Sequence, residues 1–201
     1  MTEEAGLKLE AIVLAAGAGT RYGGGKLLAP WRNSVLIDGA LAAAFAAPVH
    51  CVHLVWGADH AVADAALAIA ARSSDRDRLN LVYADRHADG LSASLIAGMG
   101  VVAADADGVF VFLGDMPRVP HGLTQTMAKV LENGAVAVTP DFSGRRGHPV
   151  LFSRALFSKL DALSGDHGAG ALLQGLGETL VRVPSPDDGV LFDVDRHEDL
   201  L

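Results

Sequence analysis

A glycine-rich segment with two cations follows the first apolar run of the chain. It reads AGAGTRYGGGK over residues 16–26. Glycine allows positive φ angles and lets backbone N–H groups approach an anion without obstruction by a side chain. Arg21 and Lys26 add positive charge. At a separation of about 4 Å and an effective dielectric of about 20, each contact with a phosphate is worth roughly 4 kcal/mol before desolvation. The segment therefore predicts a binding site for a phosphate chain.

Neither of two common phosphate-binding motifs fits this segment. The dinucleotide motif G-x-G-x-x-G requires glycine where the chain has Tyr22. The P-loop motif G-x-x-x-x-G-K-[ST] requires glycine in place of Thr20 and a hydroxyl in place of Leu27. The alternative is a surface loop with solvated charges, but the apolar run directly before the segment favours a binding loop.

Acidic residues at two later points are candidates to hold a metal ion. Asp115 follows the apolar run VFVFL, and Asp193 and Asp195 lie in the sequence FDVD. Mg²⁺ typically takes one or two carboxylates together with phosphate oxygens. Asp115 could instead be a turn residue, and Asp193 or Asp195 could cap the short helix RHEDLL. We expect Asp115 to be a metal ligand, with one or both of the two later aspartates completing the site.

Strand-length apolar runs alternate with helix-length segments over the first 140 residues. The predicted strands are 10–15, 51–56, 80–84, 109–113, 135–139, 148–152, 179–183 and 190–194. The predicted helices are 34–46, 58–72, 92–104, 120–133, 153–160 and 168–175, with Ser34 as the N-cap of the first. This alternation predicts a three-layer α/β/α fold with a mostly parallel central sheet, in a single domain over residues 1–201.

The order of the strands decides whether these residues can act together. In an open α/β sheet, ligands collect beyond the carboxyl ends of the strands, at the point where the strand order reverses. If strand 10–15 is central and strand 109–113 lies beside it, the glycine-rich segment and Asp115 share one pocket.

Composition narrows the range of functions. Half of the 201 residues are apolar and the formal net charge is −8. The longest basic stretch is Arg145-Arg146, so a nucleic-acid-binding surface is not expected. No apolar run approaches the ~20 residues that cross a bilayer, and the start MTEEAGLKLE is too polar for a signal peptide. With a single cysteine, Cys51, expected to be a buried hydrophobe, these features predict a cytoplasmic protein.

Five motifs together resemble one enzyme family. They are LAAGAGTRYGGGKLL at 14–28, GLSASLIAGM at 90–99, LGDMP at 113–117, GRRGHPVLF at 144–152 and DVDRHEDL at 193–200. In this order they resemble the MobA-like nucleotidyltransferases, and among them the molybdenum cofactor cytidylyltransferases. The resemblance implies a nucleotide-diphospho-sugar transferase (glycosyltransferase-A-like) fold. It also implies a reaction in which the terminal phosphate of molybdopterin attacks the α-phosphorus of CTP and pyrophosphate leaves.

The resemblance also implies roles for individual residues. Catalysis and the triphosphate would involve Arg21, Lys26 and Asp115, with Mg²⁺ held by Asp115 and Asp195. The nucleotide-binding set would be Leu14, Ala15, Ala16, Gly17, Gly19, Arg21, Lys26, Ser94 and Gly98. The acceptor-binding candidates are Arg145, Arg146, His148 and Asp166. Gly170 departs from the family pattern, because related sequences often carry arginine at this point.

Several alternatives stay open on the sequence alone. The nucleotide could be GTP, which would make the protein a guanylyltransferase acting on the same cofactor. The acceptor could be a different phosphorylated molecule, such as a sugar phosphate. The protein could also be a non-catalytic carrier of the molybdenum cofactor, although a pure carrier has no need of metal ligands. A molybdoenzyme or its maturation chaperone is an expected protein partner in either case.

Overall fold

Ten strands and six α-helices form the part of the chain that the computed structural model describes, residues 6–165 and 168–200. The strands are β1 (Leu9–Ala15), β2 (Pro30–Trp31), β3 (Ser34–Val35), β4 (Cys51–Trp56), β5 (Leu79–Tyr83), β6 (Gly108–Leu113), β7 (Ala137–Phe142), β8 (Arg145–Arg146), β9 (Val150–Ser153) and β10 (Leu180–Pro184). The helices are α1 (Leu36–Ala46), α2 (His60–Arg72), α3 (Leu91–Met99), α4 (Leu123–Glu132), α5 (Phe157–Asp161) and α6 (Gly170–Gly175).

Eight of the strands form one mostly parallel sheet. Their order is β10-β7-β9-β6-β1-β4-β5, with β8 paired to β7 outside this path. β1 is parallel to both β4 and β6, and β4 is parallel to β5. β9 is antiparallel to both of its neighbours, β6 and β7. The predicted α/β class with a mostly parallel central sheet is therefore confirmed.

β1 lies inside this sheet, between β6 and β4, and both of its faces are covered. All seven of its residues are buried, as expected for a parallel strand between two helical layers. Ala11 and Val13 pack in one apolar cluster with α1, α2 and α4. Ile12 and Leu14 pack in a second cluster with α3, α5 and α6. The strand order reverses at β1, because β4 and β5 lie on one side of it and β6 on the other.

The first helix begins two residues later than predicted, and Ser34 is not its N-cap. Ser34 pairs with Trp31 in the small β2–β3 hairpin, and Val35 occupies the N-cap position in an extended conformation. The N–H of Leu36 donates to the carbonyl of Ala29. A backbone acceptor therefore satisfies the donor that a capping side chain would have taken.

The predicted strand at 190–194 is also wrong. Residues Asp188–Leu191 form a 3₁₀-helix, and the chain then runs on without a strand partner. Val190 and Val194 are fully buried. The apolar pattern of residues 190–194 therefore arises from burial of these two side chains and not from pairing in a sheet. Single backbone hydrogen bonds hold the segment, with Val190 accepting from the N–H of His148 and Val194 donating to Asp115.

Other boundaries moved by a few residues. α3 ends at Met99 instead of 104, and α4 begins at Leu123 instead of 120. Within the described ranges, no helix combines the length and the apolar character that a membrane span needs.

A buried polar cluster lies at the opposite end of the sheet from the carboxyl ends of the strands. Glu10 of β1 contacts Nε2 of His53 at 2.7 Å, and both side chains are about 5% exposed or less. Asn80 contacts the other ring nitrogen of His53, and the N–H of Ala103 donates to Glu10. Cys51, predicted to be buried, is only half-buried because it begins β4 at the rim of the sheet.

Candidate active site

A pocket of about 330 Å³ lies beyond the carboxyl ends of β1 and β6. This is the crevice at which the strand order reverses, where open α/β sheets bind ligands. The end of β1, the start of the 3₁₀-helix Lys26–Leu28, the first turns of α3 and the turn after β6 form its walls. Its lining residues are Leu14, Ala15, Ala16, Gly17, Gly19, Lys26, Leu27, His87, Gly90, Leu91, Ser94, Leu113 and Asp115.

The glycine-rich loop folds back on itself before it reaches Lys26. The carbonyl of Gly19 accepts hydrogen bonds from the N–H groups of Tyr22, Gly23 and Gly24. Positive φ angles, which residues other than glycine rarely adopt, occur at Gly19, Gly23, Gly24 and Gly25. A Cβ atom on Gly19 would lie 3.1 Å from Cβ of Lys26. The glycines therefore let a tight turn bring Lys26 back to the end of β1.

Lys26, Asp115 and Asp195 form a charge cluster at the pocket. Nζ of Lys26 lies 2.7 Å from Oδ2 of Asp115 and 3.5 Å from Oδ1 of Asp195. The Lys26 side chain is only 13% exposed. Asp115 and Asp195 lie 89 and 169 positions from Lys26 in the sequence, and the fold brings both carboxylates to its ammonium group. The structure therefore has the predicted proximity of Lys26 and Asp115.

Gly114 places Asp115 at this point. A Cβ atom on Gly114 would lie 2.8 Å from Cδ1 of Ile37 and 2.9 Å from the carbonyl oxygen of Leu14. The N–H of Gly114 donates to that same carbonyl at 2.9 Å. Only glycine therefore allows the end of β6 to approach the end of β1 so closely, and the next residue projects its carboxylate into the pocket.

The segment after β10 supplies Asp195 and is fixed by its own contacts. Asp199 accepts hydrogen bonds from the N–H groups of Asp195 and Arg196 at 2.8 and 2.7 Å, and these bonds lower the pKa of Asp199. Asp199, and neither Asp193 nor Asp195, therefore caps this turn. The ring of His197 packs on Tyr22 of the glycine-rich loop with ring centres 3.9 Å apart.

Arg21 lies at the outer side of the charge cluster. Its guanidinium is 3.6 Å from Oδ2 of Asp195, and its side chain is 83% exposed. Unlike Lys26, Arg21 is not one of the residues that line the pocket. Its ion pair is open to solvent and contributes little to holding the site together.

The donor set at the cluster suits a hard divalent cation. Desolvation, together with the carboxylates of Asp115 and Asp195, raises the pKa of Asp193. Among the residues described, no group of three or more acidic, histidine or cysteine side chains is arranged to hold a metal ion. Mg²⁺ is commonly bound by one or two carboxylates together with phosphate oxygens of the substrate, and Asp115 and Asp195 could supply the two carboxylates.

Ser94 and Gly98, both expected near the base or ribose, lie in different surroundings. Ser94 lines the pocket from α3. Gly98 lines no part of it, because it is the point at which α3 packs on the sheet. A Cβ atom there would lie within 3.0 Å of Ile12 and Val55. Gly98 is therefore a packing residue in this structure, and its role near the base or ribose stays a prediction.

A second pocket of about 180 Å³ adjoins the first and shares Leu14, Leu91 and Leu113 with it. Arg146, His148 and Gly170 are among its lining residues. Gly170 begins α6 here, and its position has open space for a side chain.

The predicted acceptor residues divide between different surroundings. Desolvation lowers the pKa of His148 to about 4, and its buried Nδ1 has no hydrogen-bond partner among the described residues. Arg146 lines the same pocket as His148, whereas Arg145 lies in a separate surface depression beside Phe142 and Phe192. Asp166 lies outside the residues that the structure describes.

Sequence reasoning missed His87, which lines the first pocket. The available signal was its position three residues before the GLSASL motif, in the loop between a predicted strand and a predicted helix. Sequence reasoning passed over it because a lone histidine in a polar loop carries no spacing pattern.

Comparison with known proteins identifies relatives of the whole chain. It is 23% identical over 194 residues to molybdenum cofactor cytidylyltransferase of Escherichia coli K12, covering 96% of this chain and 94% of that protein. It is 26% identical over 204 residues to nicotine blue oxidoreductase of Paenarthrobacter nicotinovorans, covering 94% of this chain and 93% of that protein.

A solved structure has the same architecture. The crystal structure of Rv0371c from Mycobacterium tuberculosis superposes with a TM-score of 0.76 at 26% identity, over 97% of this chain and 96% of that one. A manganese complex of the same protein superposes with a TM-score of 0.72 at 24% identity, with the same coverage. The architecture is the predicted nucleotide-diphospho-sugar transferase fold. Because residues 11–182 match the MobA-like NTP transferase domain, the chain belongs to the MobA-like family and is a nucleotidyltransferase.

Proposed function

We propose that this protein transfers CMP from CTP to the terminal phosphate of molybdopterin or the molybdenum cofactor, with release of pyrophosphate and with Mg²⁺ as the metal. The observation that carries the proposal is the Lys26 ammonium between the carboxylates of Asp115 and Asp195, at the mouth of a pocket formed by the end of β1. A triphosphate would be bound both by the Lys26 ammonium and by a metal ion held on Asp115 and Asp195, because these groups lie side by side.

The nucleotide would lie across the reversal point of the sheet. The backbone of Leu14, Ala15, Ala16 and Gly17 would line the base, and Ser94 would face the base or ribose from α3. Gly19 would keep the loop close to the phosphates. Lys26 would donate to phosphate oxygens, and Arg21 would contribute a more distant, solvent-screened charge.

Asp115 and Asp195 would hold Mg²⁺, which when bound offsets charge on the phosphate oxygens. The manganese complex of Rv0371c supports a divalent cation in this fold. When a cation is bound to Asp115 and Asp195, the Lys26 ammonium would be able to donate its hydrogen bonds to the triphosphate instead of to these carboxylates. An acceptor phosphate is already ionised near neutral pH, so positioning and charge stabilisation supply most of the acceleration.

The second pocket supports a role as acceptor site. It adjoins the nucleotide pocket, so an acceptor there would present its phosphate to the α-phosphorus. Arg146 is suited to bind the acceptor phosphate, and His148 is held neutral and can hydrogen-bond an uncharged polar group. Arg145 would contribute from outside the pocket, and Asp166 remains a predicted acceptor residue.

Cytidine and the molybdenum cofactor are proposed on the similarity to the Escherichia coli cytidylyltransferase. GTP, another phosphorylated acceptor or a carrier role are the competing proposals. The Paenarthrobacter relative bears the name of an oxidoreductase, and the Lys26–Asp115–Asp195 cluster is what favours phosphoryl chemistry for this chain. A molybdoenzyme or its maturation chaperone would receive the product, and the predicted location is the cytoplasm.

The test is release of pyrophosphate by the purified protein with molybdopterin, Mg²⁺ and either CTP or GTP. We expect turnover with CTP, little with GTP, and none when a chelator removes the metal. Turnover with GTP alone would make the protein a guanylyltransferase. Binding of molybdopterin without pyrophosphate release from either nucleotide would instead support the carrier.

A further inference from the structure

The imidazole ring of His87 is held in one orientation by its neighbours. Nδ1 of His87 lies 2.9 Å from the carbonyl oxygen of Ala84. On another side the ring packs directly on Gly57, where an added Cβ atom would lie 2.6 Å from Cγ of His87 and 2.9 Å from Nδ1. The φ angle of Gly57 is outside the left-handed region, so the closeness of His87, and not the backbone, requires glycine.

The contact with Ala84 decides which ring nitrogen carries the proton. A carbonyl oxygen can only accept a hydrogen bond, so Nδ1 must be the donor. In the neutral ring, Nε2 is then an acceptor with a free lone pair. Nε2 lies across the ring from the Cγ–Nδ1 edge that faces Gly57, and it makes no hydrogen bond within the described parts of the chain.

His87 lines the same pocket as the end of β1 and Ser94. Leu91 and Leu113 provide the apolar surface between them. On this side of the pocket, the neutral polar side chains open to a ligand are the His87 ring, whose Nε2 accepts in the neutral form, and the Ser94 hydroxyl, which can either donate or accept. The fixed acceptor is the group able to distinguish ligands by their hydrogen-bond donors.

We propose that His87 determines base specificity by accepting a hydrogen bond from the exocyclic amino group of a 4-aminopyrimidine. This inference rests on the proposed function, because it takes the first pocket as the base site. Cytosine presents an amino donor at position 4, whereas uracil presents a carbonyl acceptor there. Uracil would set its carbonyl lone pairs against the Nε2 lone pair, and a buried polar group left unpaired is what makes such sites selective.

The test is calorimetric titration of the full chain with CTP and with UTP in the presence of Mg²⁺ and without acceptor. We expect the unmodified protein to bind CTP at least about fivefold more tightly than UTP, the effect of one net hydrogen bond. His87→Phe keeps a ring but loses the acceptor, so its CTP affinity should fall about fivefold while its UTP affinity changes little. Gly57→Ala should shift the ratio in the same direction by displacing the ring.

His60→Phe is the matched control. His60 packs on Trp56, contacts Asp64 and does not line the pocket, so the ratio of CTP to UTP affinity should stay unchanged. Tight binding of both nucleotides with the same ratio in His87→Phe would overturn the assignment of His87 and leave the proposed function in place. Failure of the unmodified protein to bind either nucleotide would overturn the proposed function, and this inference with it.

Discussion

A single ammonium group faces more than one carboxylate at this site. Lys26 contacts both Asp115 and Asp195, and desolvation together with the charges of these two carboxylates raises the pKa of Asp193. The cluster is therefore net negative before any ligand arrives. A triphosphate alone would be repelled by such a cluster, whereas a triphosphate with its cation would complete it.

The two late aspartates should differ in importance. Asp195 contacts Lys26, whereas Asp193 is exposed and makes no ion pair among the described residues. We expect Asp195→Asn and Asp115→Asn to lower kcat by at least about a hundredfold, because each removes a ligand for the charge-stabilising cation. Asp193→Asn should lower kcat by no more than about threefold, the effect of a solvent-screened charge.

Pyrophosphate release at saturating CTP and Mg²⁺ measures these rates, and circular dichroism checks that each variant is folded. An equal loss for Asp193→Asn and Asp195→Asn would mean that both are ligands, or that the ligand is Asp193.

Substitution of the two cationic residues of the glycine-rich loop should have effects of different size. Lys26 is 13% exposed and lies at the pocket, whereas Arg21 is 83% exposed. We expect Lys26→Ala to weaken CTP binding and lower kcat together, by about a hundredfold in kcat/KM, because it removes a charge-assisted contact with the phosphates. Arg21→Ala should cost about threefold. Steady-state kinetics over a range of CTP concentrations checks both, and a larger loss for Arg21 would reverse their roles.

At the scale of elements, glycines decide how closely the ends of β1 and β6 meet. The carboxylate of Asp115 reaches the pocket because the preceding residue, Gly114, packs against the carbonyl of Leu14 at the end of β1. The motif LGDMP therefore combines a packing residue with a residue proposed to be a ligand. Sequence alone could predict the strand and the acid, but not that the preceding glycine is the point of contact.

Gly114→Ala should therefore damage both stability and activity. The new methyl group would meet Ile37 and the Leu14 backbone at under 3 Å, and overpacking of this kind costs about 1–3 kcal/mol. We expect a lower free energy of unfolding in urea and a lower kcat, since Asp115 must move. Gly122→Ala is the control, because Gly122 precedes α4 with a φ of −68° and open space around it. Equal effects of the two substitutions would contradict this account.

At the scale of the whole molecule, the regular part of the fold was predictable and the irregular part was not. Buried runs such as those of β1 and β6 have the length and composition of parallel strands, whereas the pairing of these two strands was a condition of the predicted shared pocket and not itself predicted. Residues 190–194 have a similar apolar pattern, but only Val190 and Val194 are fully buried, and the segment pairs with no strand. Ser34 was misassigned as an N-cap because it pairs with Trp31 in the β2–β3 hairpin, whereas the packing of Gly98 on Ile12 and Val55 depends on residues distant in sequence.

The acid stability of the protein should depend on His148. Its pKa is about 4 in the folded protein, against about 6.5 for an exposed histidine. The unfolded chain therefore takes up this proton first as the pH falls, so the stabilising contribution is complete above about pH 6.5 and is lost towards pH 4. Urea unfolding at pH 7 and pH 5 should show a larger loss for the unmodified protein than for His148→Gln. Parallel losses in the two proteins would show that His148 is solvated.

The contact between Lys26 and Asp195 spans 169 positions of the chain. All strands of the sheet are complete by Pro184, so a nascent or proteolysed chain that stops there holds every strand but only part of the charge cluster. Such a fragment would keep the ion pair between Lys26 and Asp115 but would lose Asp195, together with the buried Val190 and Val194. The segment after the last strand thus completes both the apolar core and the charge cluster, and a truncation just after residue 184 would remove both contributions at once.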